Sequence, residues 1–488
     1  MDDLTRLANG VVWPGFLGDD VPRWLESELR GGLAGVVYFA QNLQGDTAAL
    51  SARIHEIAPH ALIGIDEEGG SVTRLETSTG STVPSAAQLG MLDDLDATYD
   101  TAAEIARRCA AVGVDVVLAP VADVNTDPRN PVIGTRAFGS DTALVSRHVA
   151  AAVQGIQDTG IAACAKHFPG HGDTHTDSHH DLPRVDATAA EMAEIHLPPF
   201  TAAVRAGVRA IMTAHISVPA WGEIPATLNS AVLGLLREDG FDGVIVTDAL
   251  DMAAIRETVG IGGGAVRALA AGADLLCVGN PTNPGPAMMP DQDERDFRAA
   301  RDAIVAALRS GELSRERVEE AARRVAAMAA QTADARGTGQ EGALDAEGVV
   351  RRAMVVRGEV VAYPDGPATV VDIRRPSSLA VDSAAGHVAT ALAAGGPVIR
   401  RDAETADGEA VAEIVAGART RRSILLVDRL DETSAQRAVA TAVSGGAPDT
   451  AIVNVGVPSA GVPGATVLEV AAASLVAAQV ARRILIGN

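Results

Sequence analysis

A parallel α/β architecture in two parts, a closed barrel followed by a smaller α/β sandwich, is what this 488-residue sequence predicts, on three observations. Short β-branched runs alternate with Ala/Arg/Glu-rich segments of helical period from the N-terminus to about residue 330, the pattern of repeated βα units. Polar and ionisable residues gather where those runs end. Hydrophobic residues make up 47% of the chain and aromatics only 3%, a balance that suits helices packed on an aliphatic sheet better than an aromatic-rich sandwich.

Taken in order, strands are expected over residues 10–13, 35–39, 61–65, 114–118, 161–165, 210–212, 243–246 and 275–278. Eight such strands imply a TIM-type (β/α)8 barrel over residues 1–335, a fold whose chemistry sits at the C-terminal ends of its strands. Gln41 and Asn42, the run Asp66-Glu67-Glu68, Asp123 and Asn125, the pair Lys166-His167, His215 and Asp248 each stand at or just past such an end. One polar residue there could be a cap or turn former. The same placement at so many strands points to an active site.

Over residues 331–345 the chain turns polar and Gly-rich, which reads as a domain edge, so a second domain is expected over 336–488. Its strands fall at 368–373, 423–427 and 451–455, with helical stretches at 409–416 and 435–443, the makings of an α/β sandwich. Gly456-Val457-Pro458 reads as a plain turn after the last of these strands.

Composition excludes several functions. With 63 acidic against 40 basic residues the net charge is -23, which repels phosphate backbones and anionic membrane surfaces, so neither nucleic acid nor membrane is expected as a partner. The start, Met1-Asp2-Asp3-Leu4-Thr5-Arg6, lacks a basic n-region and no apolar stretch is long enough to span a bilayer, so a cytoplasmic location is expected. Cys109, Cys164 and Cys277 sit singly on apolar segments without paired spacing and read as buried packing residues. No cofactor is expected.

The densest chemistry follows the fifth strand, in Lys166-His167-Phe168-Pro169-Gly170-His171-Gly172-Asp173-Thr174 and on through Asp177-Ser178-His179 to Leu182-Pro183. Its Gly and Pro residues make 167–183 a loop. The fourfold spacing of His171, His175 and His179 therefore cannot stack imidazoles on a helix face, and no metal is expected; His175 and His180 read as solvated. Asp177, two residues before His179, can accept that ring's N–H and raise its basicity, which builds a proton donor. Asp248, at the mouth of the run Val244-Ile245-Val246, is a carboxylate placed to attack an electrophilic carbon. Asp251, near an expected helix start, reads as structural through the helix dipole. Asp66 is a short acceptor suited to sugar hydroxyls, Gly69-Gly70 lets backbone approach a ligand, and Arg74 follows as an orienting cation.

Together these residues resemble glycoside hydrolase family 3, in its β-N-acetylglucosaminidase (β-hexosaminidase) branch. The resemblance spans roughly residues 8–330 and includes Ile65-Asp66-Glu67-Glu68-Gly69-Gly70, the segments 119–125 and 130–139, the long loop from Lys166 to Pro183, Pro225-Ala226-Thr227-Leu228-Asn229, and Gly240-Phe241-Asp242-Gly243 leading to Asp248. It implies retaining hydrolysis of terminal β-linked N-acetylglucosamine, with peptidoglycan fragments as the source. Asp248 is then the nucleophile, His179 the general acid/base and Asp177 its orienting partner, with Asp66, Arg74, Arg136, Lys166 and His167 binding the substrate. The chain departs from the branch at Glu67, Ser71 and Ala249, which bears on the aglycone side more than on the reaction.

A histidine acid gains no negative charge on losing its proton, so phosphate is an alternative acceptor and a phosphorylase an alternative activity, as is a broad β-glucosidase. Two readings from other classes remain: a catalytically inactive sugar-binding or sensor protein on the same barrel, and a metal-dependent hydrolase using the histidine cluster.

Overall fold

Parallel strands covered on both faces carry few polar side chains, and the strands of the first unit follow that rule except near the C-terminal ends of the fifth and sixth. They are β1 (Val12–Pro14), β2 (Gly35–Tyr38), β3 (Leu62–Ile65), β4 (Val116–Val117), β5 (Ala162–Phe168), β6 (Ala210–Thr213), β7 (Val244–Val246) and β8 (Leu276–Gly279). The structure, a computed structural model, describes residues 1–174, 182–335, 342, 344–360, 365–375, 383–406, 408–420 and 422–487. These fall into two units, one formed by 1–67, 98–130 and 140–343 and the other by 68–97, 131–139 and 344–488. Residues 68–97 and 131–139, inside the expected first domain, thus pack with the second unit.

In the first unit β2 to β7 lie side by side in chain order, all parallel. β8 pairs in parallel with β1, and a bridge between Val246 and Leu275 joins β7 to β8. This is the expected TIM-type barrel. β5 outruns its predicted 161–165 and carries Lys166 and His167 within the strand.

Alternate strand residues share a side, and one side packs as a single core: Trp13, Val37, Leu62, Val116, Cys164, Met212, Val246 and Cys277 all belong to it. The Trp13 indole N–H donates to the Leu62 carbonyl at 2.8 Å. A Cβ on Gly64 would lie 2.2 Å from the same indole, so only glycine fits beneath it. The three cysteines are free and buried, as expected.

Two buried aspartates tie the strands at their N-terminal side. Asp115, just before β4, accepts the Ile63 N–H at 2.9 Å and faces His55 Nε2 at 3.0 Å. Asp274, just before β8, accepts the Ile245 N–H at 3.0 Å and the guanidinium groups of Arg237 and Arg317, each at 2.5 Å, with Arg324 at 3.5 Å. Taking a carboxylate out of water costs several kcal/mol, and here three cations offset it. Arg317 and Arg324 come from the helix Arg315–Ala335, whose Val325, Met328 and Ala329 pack into the barrel core.

The second unit holds a six-stranded sheet in the order β11-β10-β12-β13-β14-β9, formed by β9 (Val355–Arg357), β10 (Thr369–Asp372), β11 (Val398–Arg400), β12 (Ser423–Val427), β13 (Ala451–Asn454) and β14 (Val467–Glu469). Only β9 runs antiparallel. Val370, Ile424, Leu426 and Val453 pack against Val388, Leu392, Val476 and Val480, while Val371, Leu425, Val427 and Ile452 pack against Ile414, Val439 and Val443. Helices therefore cover both faces, which makes the expected α/β sandwich. The three predicted strands form its centre. The edge strands β9 and β11, largely exposed, carry no hydrophobic alternation that sequence could reveal.

Gly456 follows β13 as a turn closed by Asn454, whose Oδ1 accepts the Gly456 N–H and whose Nδ2 donates to the Val457 carbonyl. Residues 68–97 are stitched to this unit by Ser85 Oγ on the Ala471 carbonyl, Gln88 Nε2 on the Val470 carbonyl, and the Ala473 N–H on Ser71 Oγ. Among the described residues, no helix is long and apolar enough to cross a membrane.

Replacing Asp274 by Ala strands three guanidinium groups and an N–H. The expected loss is about 3 kcal/mol, the low end for a broken buried pair because the partly exposed arginines can rehydrate. Urea denaturation measures it, and a loss under about 1 kcal/mol would remove Asp274 as an anchor of the barrel.

Candidate active site

Side chains two residues apart on a strand point the same way, so the inward row of Gly64 continues to Asp66, that of Cys164 to Lys166, and that of Val246 to Asp248. Three charged groups thereby crown an apolar barrel interior. Lys166 is only 2% exposed, and its Nζ lies 2.6 Å from Asp66 Oδ1. Asp248 is half-buried, and its Oδ1 accepts the Ala249 N–H at 2.8 Å.

Two thiols lie in the core below these groups. Burial pushes the Cys164 thiol up to about 12, with Lys166 opposing and Asp66 and Asp248 adding. Burial likewise raises the Cys277 thiol, with Asp248, Asp251 and Asp66 adding. Both cysteines lie in the buried core beneath the strand ends that carry Asp66 and Asp248.

Beside them, His167 and His171 are organised by Asp123, which is fully buried. Asp123 Oδ2 lies 2.7 Å from His167 Nδ1, and Oδ1 accepts the His171 N–H at 2.7 Å. Burial raises the Asp123 carboxyl, but the His167 and His171 rings and the hydrogen bonds these residues direct at it together hold the group below the usual carboxylate range. A proton on Nδ1 directed at the Asp123 carboxylate fixes the orientation of the His167 ring. Burial pushes the His171 imidazole down to about 4, and its Nδ1 lies 3.0 Å from Thr174 Oγ1. His171 is a buried ring that stays neutral near pH 7.

Sequence placed Asp123 at a strand end without giving it a task. It also placed His215 there, and the structure buries that ring fully, with Nε2 2.9 Å from the Ala249 carbonyl and Nδ1 2.9 Å from Thr227 Oγ1.

Arg74 and Arg136 belong to the second unit, and both are buried. Arg136 makes a bidentate pair with Glu68, Nε to Oε2 at 2.9 Å and Nη2 to Oε1 at 2.8 Å, the planar geometry that favours arginine over lysine. Gly69 and Gly70 adopt positive φ of 77° and 57°, but the close neighbour at Gly70 is the protein itself: a Cβ there would fall 2.4 Å from that of Ser85.

Asp251 departs from its expected helix-start role. Met252 occupies the cap of the helix Ala253–Arg256, while Asp251 is buried, takes a hydrogen bond from Asn283 Nδ2 at 2.6 Å and presses on Gly279. Asp177 and His179 lie outside the described residues, as do His175 and His180. Among the described residues, no group of three or more His, Cys, Asp or Glu side chains is arranged to hold a metal ion.

An acceptor and a donor locked together at Asp66 and Lys166, an oriented imidazole at His167 and a half-buried carboxylate at Asp248 form a polar rim on a dry floor. Such a rim can bind a polyhydroxylated ligand and attack it. The model of the glycosyl hydrolase family 3 N-terminal domain matches residues 22–328. A Mycobacterium tuberculosis protein named β-hexosaminidase LpqI is 35% identical over 277 residues, 54% of this chain and 67% of that protein. A Chromobacterium violaceum β-hexosaminidase is 37% identical over 270 residues, 53% of this chain and 74% of its own. Among solved structures, a family 3 β-N-acetylglucosaminidase from a Paenibacillus species superposes with a TM-score of 0.84 at 32% identity, covering 100% of this chain and 97% of that one.

The depressed His171 ring has a consequence for acid stability. Between its ordinary value near 6.5 and about 4 the unfolded chain takes up a proton that the folded chain refuses, so this group erodes stability as pH falls through that window. His171→Gln should flatten that part of the stability profile, as followed by urea unfolding from pH 7 to 4. An unchanged slope would mean that the ring is charged in the fold.

Proposed function

The chain belongs to glycosyl hydrolase family 3, and from that premise we propose that it is a retaining β-N-acetylglucosaminidase acting on terminal β-linked N-acetylglucosamine. The observation that carries the reading is the crown of Asp66, Lys166 and Asp248 on one barrel floor, together with curated relatives named β-hexosaminidase. Asp248 attacks the anomeric carbon and forms a glycosyl-enzyme while His179, oriented by Asp177, protonates the leaving oxygen. His179 then takes a proton from water, which opens the ester and returns the sugar with its configuration retained. Asp66, Lys166 and His167 grip the sugar hydroxyls, and Arg74 and Arg136 complete the substrate-binding set. Peptidoglycan fragments are the proposed source, handled in the cytoplasm.

Asp248→Ala should lower kcat on an aryl β-N-acetylglucosaminide by about 10⁴-fold or more, the scale of losing a covalent nucleophile. Retained turnover would exclude Asp248. His179→Ala should spare aryl substrates, whose leaving groups need no proton, relative to a natural disaccharide, whereas equal loss on both would remove His179 as the acid. The wild-type protein should prefer the aryl β-N-acetylglucosaminide to the aryl β-glucoside and release free sugar without phosphate. A preference for the glucoside makes it a broad β-glucosidase, strict dependence on phosphate makes it a phosphorylase, and inertness toward both substrates makes it a sugar-binding protein.

A further inference from the structure

The peptide that follows the proposed nucleophile is pinned at both ends, and one of the pins is a histidine. Asp248 sits on the link between β7 and the loop beyond it, where backbone is free of strand pairing and needs other anchors. Its carboxylate takes the N–H of Ala249 at 2.8 Å. The next peptide, from Ala249 to Leu250, sends its N–H to the Cys277 carbonyl at 3.0 Å on the β8 side and its carbonyl to His215 Nε2 at 2.9 Å on the β6 side. A carbonyl only accepts, so Nε2 carries a proton. The other ring nitrogen lies 2.9 Å from Thr227 Oγ1, which in turn lies 2.8 Å from Thr213 Oγ1 and 3.0 Å from the Ala214 carbonyl. His215, Thr213 and Thr227 show no solvent exposure at all.

We infer that His215 is a positioning residue for the nucleophile: through the Ala249 carbonyl it fixes the backbone that aims Asp248, while Thr227 fixes the ring. The inference rests on the reading of Asp248 as nucleophile and assigns the residue that orients it. A buried, hydrogen-bonded imidazole is a costly way to fill a core. A leucine would fill that space without a polar group to satisfy, whereas a ring with two edges can hold a carbonyl on one side while anchored on the other. Misplacing a reacting atom by about 1 Å can cost on the order of 100-fold in rate even when the substrate still binds. The cost therefore belongs in the bond-forming step and not in affinity.

Pre-steady-state release of the aryl leaving group from an aryl β-N-acetylglucosaminide reads that step directly, and thermal unfolding of the same samples reads the fold. His215→Ala and Thr227→Val should each slow the first turnover, His215→Ala by about 100-fold, with KM changed by less than about threefold. His215→Gln, which can still donate from a nitrogen at similar reach, should recover part of the loss. First-turnover rates within about twofold of wild type in Thr227→Val and His215→Ala, or rate losses that track loss of the folded state or a rise in KM, would overturn the inference. Asp248→Ala run alongside keeps the two readings apart: a full first-turnover rate there would sink the nucleophile assignment itself, whereas its loss beside an unaffected His215→Ala would sink only the role of His215.

Discussion

An ammonium group stripped of nearly all its water stays charged only if an anion is held against it, and the Lys166–Asp66 pair is the constraint on which the open end of the barrel depends. The side chains beneath it are apolar to the last inward position of each strand. The pair removes most of the field that either ion would throw across that floor. Asp248, also at a strand end, is half-buried and takes a backbone N–H. Without the lysine, Asp66 would lose the cation held against it.

Much of this was legible in the sequence, for a physical reason. A barrel strand covered on both faces reads as an aliphatic run, and the first charged residue after such a run marks its end. That logic finds Asp66, Lys166 and Asp248 together with the eight strands. It could not find pairings across the fold. Nothing in the spacing of Asp123 and His167, or of Glu68 and Arg136, announces that they meet, because their proximity is made by strand neighbours and by long loops. Asp251 misled for the converse reason: an acid shortly before a helical stretch looks like a cap until the packing shows it turned onto Gly279. His171 does lie on the expected loop, but its Gly and Pro neighbours say nothing about its burial.

The second unit shows the same limit. Its central strands are buried on both faces and stand out as hydrophobic runs, while β9 and β11 do not. The capture of residues 68–97 by that unit rests on serine and glutamine side chains meeting backbone carbonyls and N–H groups around residues 470–473. Such bonds leave no periodic trace.

The two strand-tying aspartates carry one more implication. Asp115 and Asp274 each hold the N–H of an isoleucine on the preceding strand, Ile63 and Ile245. Counting three residues on from those isoleucines arrives at Asp66 and at Asp248. The third and seventh strands are thus built to one plan, four strands apart, as though the barrel were two copies of a half-barrel facing each other. In that view Asp66 and Asp248 are counterparts. A single lysine on the fifth strand, bound to one of them, breaks the equivalence.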